Sequence, residues 1–503
     1  MTLFEQYPIH LTNSLTAEKE LFTPVNPGLV GMYVCGPTLY SDVHLGNVRT
    51  FMMFDIVARY LRFVGYKVRY VRNITDVGHL ENDSDDGEDK IGKKARAEKL
   101  EPMEVVKHYL EGFHEVMRQF NILPPSIEPS ATGHIVEQIE IVKKLIEKGF
   151  AYEVNGSVYF DVTKYDEHHH YGILSGRVIE ELLESGRKLD SQDEKRNRID
   201  FALWKRASPS HIMRWPSPWG EGFPGWHIEC TVMSTKYLGD RFDIHGGGLD
   251  LKFPHHECEI AQAVAANDTS PVNYWLHSNM LTVNGQKMSK SLGNSFLPSQ
   301  LFSGNHALLD KGYGPMTVRF FMLQSHYSST LDFSNEALQA AEKGFKKLAN
   351  ALGTVKKLNH PGIESGNAEN ALSDSLNELC AALYSNMSDD FNTAKTLAVL
   401  FEMTARINDF KSGNVSLGSI SQSVFETFKE AYVGFMEGVL GLKEEDSQND
   451  ELLNGVVNVL INLRKKARTD RNFALSDKIR DDLKGLGVQL MDGKDGEMSY
   501  TLD

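Results

Sequence analysis

GMYVCGPTLYSDVHLGN, at residues 31–47, starts as a short apolar strand from Gly31 to Cys35 and breaks at Gly36-Pro37. Polar residues continue to Asn47, after which Phe51, Phe54, Ile56, Val57, Tyr60, Leu61 and Val64 recur at helical spacing until Gly65. KVRYVRNI, at 67–74, returns to β-branched and aromatic alternation. Strand, helix and strand in such short order form a βαβ unit, with parallel strands and a right-handed crossover.

Outward from this unit, helical patterns occupy about 104–120 and 134–149. Residues 151–222 are charged and rich in Gly, Ser and Pro, with one strand-like stretch (SVYFDV) and a rigid RWPSPWGEGFPGW leading out. They read as an insertion between two halves of a sheet domain. Alternation then resumes, with a helix predicted at 226–237, a strand at 241–245, a helix at 255–266, a strand at 273–277 and a hairpin in MLTVNGQK. Beyond about 335 the pattern turns helical, at 335–356, 371–388, 391–411 and 421–440. A polar linker (KEEDSQND, 443–450) and a last unit of two helices and a Gly-rich tail complete the chain. The expected fold is α/β, in segments 1–150, 151–222, 223–300, 301–335, 336–445 and 451–503.

The 503 residues fit about three domains. Hydrophobic residues at 41% and charged residues at 24% exclude a disordered or fibrous chain. No uncharged apolar run approaches the ~18 residues of a spanning helix, and the start lacks a basic region followed by an apolar one. Four scattered cysteines, Cys35, Cys230, Cys258 and Cys380, form no disulfide framework and point to a reducing compartment. A cytoplasmic protein without membrane contact is expected. The net charge of −15 opposes non-specific nucleic-acid binding but leaves room for local basic patches.

Two stretches suggest phosphate chemistry. His44, Gly46 and Asn47 open a helix, where unpaired N–H groups and the dipole favour an anion and Gly46 lets a nucleotide approach the backbone. Lys287-Met288-Ser289-Lys290-Ser291 is a loop with two ammonium groups suited to the charge of a leaving pyrophosphate. Each alone is also what a capped helix or a solvated basic loop looks like. A third set is Cys35, Cys230 and the helix start HHECEIAQ, where His255 and Glu259 share a face four residues apart. Two thiolates, an imidazole and a carboxylate would hold zinc; two buried thiols beside a charged helix are the alternative.

Together, HLGN after a strand and KMSKS about 240 residues later resemble the paired signatures of class I aminoacyl-tRNA synthetases. MYVCGPT, PGWHIEC, HGGGLDLKFPHHECEIAQ, MSDDFNTA and ARTDRNFALSDKIRDDLKGLGV are similar to the cysteinyl-tRNA synthetase family over essentially the whole chain. The resemblance implies a Rossmann-like parallel-sheet catalytic domain split by an insertion, then an α-helical bundle and a small C-terminal domain. It implies one Zn²⁺ held by Cys35, Cys230, His255 and Glu259, binding the substrate thiol, and Mg²⁺ with ATP. ATP would lie against Pro37, Thr38, His44, Gly46, Asn47, Gly246, Gly247, Gly248, Asp250, Lys287, Met288, Ser289, Lys290 and Ser291. His44, Asn47, Lys287 and Lys290 would be catalytic, and Thr75 and Trp226 would line the cysteine pocket. Partners would be L-cysteine, ATP and tRNA(Cys), with a monomer expected.

Zinc favours sulfur, so a metal-bound thiol separates cysteine from serine where apolar contacts distinguish only ~1–3 kcal/mol. Two departures from the family pattern carry expectations. Cys258 replaces the usual Asn beside Glu259 and could compete for zinc. VGHLENDSDDGEDKIGKKA, longer than the common form, reads as a solvated acidic loop, as does the run His168-His169-His170. At the far end, Arg464, Lys465, Lys466, Arg468, Arg471, Lys478, Arg480 and Lys484 against four Asp give +4 locally. This fits a phosphate-contacting patch. The family's last unit reads the anticodon, its helical bundle contacts the tRNA stem, and Tyr500 is a candidate for base stacking.

Overall fold

The structure, a computed structural model, describes residues 2–80, 89–185, 194–209, 211–289, 292–362, 371–444, 448–470, 472–486, 488–492 and 498–502. β1 (Leu29–Val34), α1 (Leu45–Phe63) and β2 (Lys67–Arg72) form the expected βαβ unit, with the strands parallel and Leu29 opposite Lys67. After α2 (Lys90–Glu98), α3 (Pro102–Gln119) and α4 (Ile135–Glu147) comes the insertion. This segment is more regular than its composition suggests. β3 (Ala151–Val154), β4 (Ser157–Phe160), β5 (Phe201–Arg206), β6 (Trp215–Ser217) and β7 (Gly220–Pro224) make an antiparallel sheet in the order β3–β4–β5–β7–β6. Its buried Val158, Phe160, Leu203 and Trp204 share a core with Val142 and Leu145 of α4.

The parallel sheet is completed beyond the insertion by α5 (Ile228–Leu238), β8 (Phe242–Gly248), α6 (His255–Asn267) and β9 (Val272–Ser278). Its order is β9–β8–β1–β2 with every pair parallel. β1 therefore lies inside the sheet, and the chain builds outward from it on both sides. The crevice at the carboxyl ends of β1 and β8 is the switch point at which such sheets bind ligands.

All residues of α1 from Phe51 to Leu61 are buried. The helix is covered on its outer side as well: Tyr60 donates to the Tyr384 carbonyl at 3.0 Å, and Phe63 packs edge-on to Phe435. α1 is thus a core helix whose buried charges, Arg49, Asp55 and Arg59, need internal partners.

The predicted hairpin is β10 (Leu281–Val283) and β11 (Gln286–Lys287), joined by Asn284 and Gly285 at φ 50° and 75°, as a tight Asn-Gly turn requires. α7 (Pro315–Leu323) and β12 (Leu331–Phe333), parallel to β10, lead into the bundle helices. These are α8 (Asn335–Lys357), α9 (Ala371–Ser388), α10 (Thr393–Ser412) and α11 (Gln422–Val433). α11 stops short of 440 and widens into a π-helical turn, Gly434–Val439, whose Gly434 abuts Phe63. Cys380 is buried in this core.

Residues 1–443 form one compact unit and 444–503 a second. In the second, α12 (Gln448–Thr469) starts within the expected linker, and α13 (Phe473–Gly485) follows. The Gly-rich tail is an antiparallel ribbon, β13 (Val488–Asp492) with β14 (Met498–Leu502), over Val457, Ile461, Leu483 and Val488. Among the described residues no helix is long and apolar enough to cross a membrane.

Candidate active site and metal centre

A cleft of about 530 Å³ opens at the switch point. Pro37, Thr38, His44, Gly46, Asn47, Gly248, Asp250, Lys287, Met288 and Ser289 line it, together with Thr75 and Trp226. Gly246 and Gly247 do not line it. They lie buried within β8, where a Cβ on Gly246 would come 2.0 Å from the Phe54 ring and one on Gly247 2.9 Å from His256. Their glycine identity serves the close approach of strand and helices. Lys290 and Ser291 lie outside the described residues.

At the start of α1, His44 is the N-cap. Its Nδ1 accepts from the Asn47 amide at 3.4 Å while Asn47 Oδ1 accepts from the His44 amide at 3.3 Å. With Nδ1 accepting, the imidazole proton sits on Nε2, a donor suited to an anion at the helix end. The two signatures meet here: a Cβ on Gly46 would be 3.4 Å from Met288 Cε. Asn294 braces the Lys287 loop, accepting from the Ser289 amide at 2.8 Å and donating to the Lys287 carbonyl at 3.2 Å. Thr75 is anchored to the other wall, its amide donating to the Pro37 carbonyl at 3.1 Å.

Cys35, Cys230, His255 and Glu259 converge, with one donor atom from each within 4.8 Å of the others and all four buried. Cys35 immediately follows β1, Cys230 lies in the first turn of α5, and α6 carries the other two. The two sulfurs are 3.7 Å apart, Cys35 Sγ lies 3.6 Å from Glu259 Oε1, and His255 Nε2 is 3.1 Å from the same oxygen. A tetrahedron with bonds of about 2.0–2.3 Å has edges of roughly 3.3–3.8 Å, so the set fits zinc. His255 Nδ1 shares a proton with His227 Nδ1 at 3.0 Å, which leaves Nε2 toward the cluster.

The electrostatics favour a cation. Burial opposes charge on Cys230, yet hydrogen bonds from Cys35 and His255 bring its thiol down to about 6. Glu259 is held at about 2, burial being outweighed by His245 and His255. Burial, reinforced by Cys230, raises Cys35 well above the usual thiol range.

Sequence reasoning missed a second tier. Cys35 and Glu259 also face His245 and His256: Glu259 Oε2 accepts from His245 Nε2 at 2.7 Å, and His256 Nε2 lies 3.3 Å from Cys35 Sγ. Five histidines between 227 and 277 were the available signal. Cys258 belongs to neither cluster. Its sulfur lies 3.5 Å from the Tyr171 hydroxyl in the core shared with the insertion, away from the ligand set that includes Glu259.

The long loop after Thr75 also departs from expectation. Residues 81–88 lie outside the described residues, but Val77, His79, Leu80 and Asp89 are buried rather than solvated. His79 stacks on Trp226 at 4.0 Å, donates from Nδ1 to Thr38 Oγ1 at 2.7 Å and accepts from Lys90 Nζ at 2.8 Å. Both His79 and Lys90 line the cleft. So does Glu229, fully buried, whose carboxylate accepts from the Thr75 hydroxyl and from Asn73 Nδ2 at 3.3 Å. His168 and His170 are exposed as expected, while His169 stacks on Tyr165.

In the second unit, Lys466, Arg468, Lys478, Arg480 and Lys484 are exposed and Lys465 half-buried. Arg464 is buried, which removes it from the basic surface, because it lies on the core side of α12. Arg471 lies outside the described residues. Tyr500 packs against the small core opposite Leu490.

Residues 21–343 match the family model of the tRNA synthetases class I (C) catalytic domain, and residues 382–444 match the DALR domain. A cysteine–tRNA ligase of Bacteroides fragilis is 54% identical, covering 98% of both chains. One from Cytophaga hutchinsonii is 53% identical, over 96% of this chain and 97% of the relative. Among solved structures, the Mycobacterium tuberculosis methionyl-tRNA synthetase complex with methionyl-adenylate aligns with a TM-score of 0.58 at 15% identity, over 82% of this chain and 92% of that one. The ternary complex of Agrobacterium radiobacter K84 agnB2 LeuRS with tRNA and LeuAMS aligns at 0.57 and 12% identity, over 84% and 86%. These two likenesses speak to fold. The catalytic-domain match across most of the chain, with near-full-length relatives more than half identical, places the chain in the cysteine–tRNA ligase family of class I tRNA synthetases.

Proposed function

We propose that this protein activates L-cysteine with ATP and transfers it to the 3′ end of tRNA(Cys). The observation that carries this reading is one cleft lined by the N-terminus of α1, His44, Gly46, Asn47 and Lys287 together with Cys35, Cys230 and His255, which cluster with Glu259. When bound, Zn²⁺ at Cys35, Cys230, His255 and Glu259 would supply a sulfur-selective Lewis acid for the substrate thiol. Thr75, oriented by Glu229, and Trp226, backed by His79, shape the space for the rest of the amino acid.

The cysteine carboxylate oxygen attacks the α-phosphorus of ATP in line. A P–O bond forms, the bond to the leaving pyrophosphate breaks, and cysteinyl-adenylate results. His44 Nε2–H, the Asn47 side-chain Nδ2–H and the end of α1 donate to oxygens that gain charge, while Lys287 and Lys290 neutralise the outgoing phosphates, with Mg²⁺ accompanying ATP. A terminal ribose hydroxyl of tRNA then takes the cysteinyl group and AMP leaves. Positioning and fixed donors account for most of the acceleration.

The segment assignments follow this scheme: 1–150 and 223–300 catalyse, 151–222 connects them, 301–335 and 336–445 meet the tRNA stem, and 451–503 reads the anticodon. The exposed lysines and arginines of α12 and α13 support the last role. A monomer in the cytoplasm is proposed, since one chain supplies every residue invoked in the cleft. The test is ATP-dependent attachment of labelled cysteine to total tRNA. Alkali-labile label on tRNA is expected; label entering only small amines, or none at all, would overturn the reading.

A further inference from the structure

Arg49 lies two positions beyond Asn47 on α1 and is 4% exposed. Among the described residues its guanidinium meets no carboxylate. Nη1 donates to the Met280 carbonyl at 2.5 Å, and Nη2 donates to the Ser329 carbonyl and, at 3.4 Å, to that of His326. Its remaining surroundings include a small cavity of about 30 Å³ bordered by Met52, Met53, Met322 and Phe391. Burial pulls its pKa down to about 10, so it stays charged at neutral pH. The other buried arginines nearby are paired: Arg59 and Arg319 both bind the Asp55 carboxylate, at 2.8 and 2.6 Å. A buried cation balanced by carbonyls alone is a poor choice for stability, since an apolar side chain of similar volume often does as well or better.

The three carbonyls identify what the cation holds. Met280 immediately precedes β10, and the hairpin of β10 and β11 sets Thr282 opposite Lys287. His326 and Ser329 belong to the turn between α7 and β12, and this turn is laced to the same hairpin root. The Asn279 amide donates to the Tyr327 carbonyl at 2.9 Å and its side chain to the Ser328 carbonyl at 2.8 Å. On its far side the turn grips the corner between α9 and α10. His326 Nε2 donates to the Asp390 carbonyl at 2.8 Å, and the Tyr327 hydroxyl donates to Asp390 Oδ1 at 2.5 Å.

We propose that Arg49 is a positioning residue that pins the root of the Lys287 hairpin to the second turn of α1. It thereby fixes Lys287 relative to His44 and Asn47 across the triphosphate and ties both to the helical bundle at Asp390. The proposal rests on the catalytic roles given above to those three residues. Only a planar fork with several donors spans carbonyls on two segments; a lysine ammonium keeps the charge but not the span. Arg49 acts through Lys287, so its loss belongs in the chemical step and not in cysteine binding.

The test is cysteine-dependent pyrophosphate exchange by the full-length protein, comparing the parent with Arg49→Lys, Arg49→Gln, Lys287→Ala and Arg49→Lys/Lys287→Ala. Absence of exchange in the parent would count against the functional reading itself and is thus distinguishable. With exchange present, Arg49→Lys is expected to lower kcat by ~100-fold while the cysteine KM stays within about twofold. Arg49→Gln, relieved of a buried charge, should melt no lower than the parent yet lose kcat similarly, separating position from stability. In the Lys287→Ala background the Arg49→Lys cost should fall to within about threefold. A loss of kcat below about threefold in both single variants, a loss confined to cysteine KM, or costs that multiply in the double variant would overturn the proposal.

Discussion

Cys35 and Cys230 are 195 residues apart, yet their sulfurs lie 3.7 Å from one another. Nothing in their spacing announces this, because only the parallel pairing of β1 and β8 sets α5 beside the end of β1. Family likeness supplied the ligand set, whereas the chain's own periodicity supplied the strand that leads to Cys35. Cys258, next to Glu259 in sequence, was a possible competitor for zinc, and its sulfur faces Tyr171 instead. Cys258→Ser is therefore expected to retain the metal, and Cys35→Ser or Cys230→Ser to lose at least tenfold in zinc affinity, as measured by metal content after dialysis against a graded chelator. Gly246 is a second residue-scale case. Its motif suggested nucleotide contact, but its neighbour is Phe54. Gly246→Ala should lower stability by roughly 1–3 kcal/mol through overpacking, read from denaturant unfolding.

Element boundaries with strong periodicity were legible: α1, α6, β9 and the bundle helices α8, α9 and α10 lie within a few residues of expectation. The insertion was not, since its strands are short and broken by Gly and Pro, and its pairing runs from β4 to β5 across some forty intervening residues. The flanks of the loop after Thr75 depart from the solvated reading because the acidic composition of the stretch hides His79, which seats on Trp226. His79→Ala should raise the cysteine KM about tenfold with a smaller effect on kcat, since an aromatic stack contributes ~0.5–1.5 kcal/mol beyond burial. Steady-state exchange kinetics would show an unchanged KM if the stack is idle. The junction of α1 with α7 depends on Asp55, which is 1% exposed and compensates Arg59 and Arg319. Asp55→Ala leaves two buried guanidinium groups without a counter-charge and is expected to cost roughly 3–5 kcal/mol in unfolding free energy.

At the scale of the whole molecule, the bulk charge of −15 conceals an uneven distribution of charge. The unit 1–443 contains every described cleft and cluster residue, and 444–503 has its own core and the exposed basic side chains of α12 and α13. A chain ending at Lys443 is expected to keep pyrophosphate exchange within a few-fold and to lose most tRNA charging at low tRNA concentration; equal charging by both forms would remove the last unit from tRNA recognition. Under the proposed function, one cleft reads the substrate's sulfur through a Cys-Cys-His-Glu metal centre beside a phosphate-binding helix end. Zinc-edge X-ray absorption of the loaded protein tests it most directly. The sulfur count should rise from two, from Cys35 and Cys230, to three on adding cysteine and stay at two with serine; a count unchanged by cysteine would rule out thiol recognition by the metal.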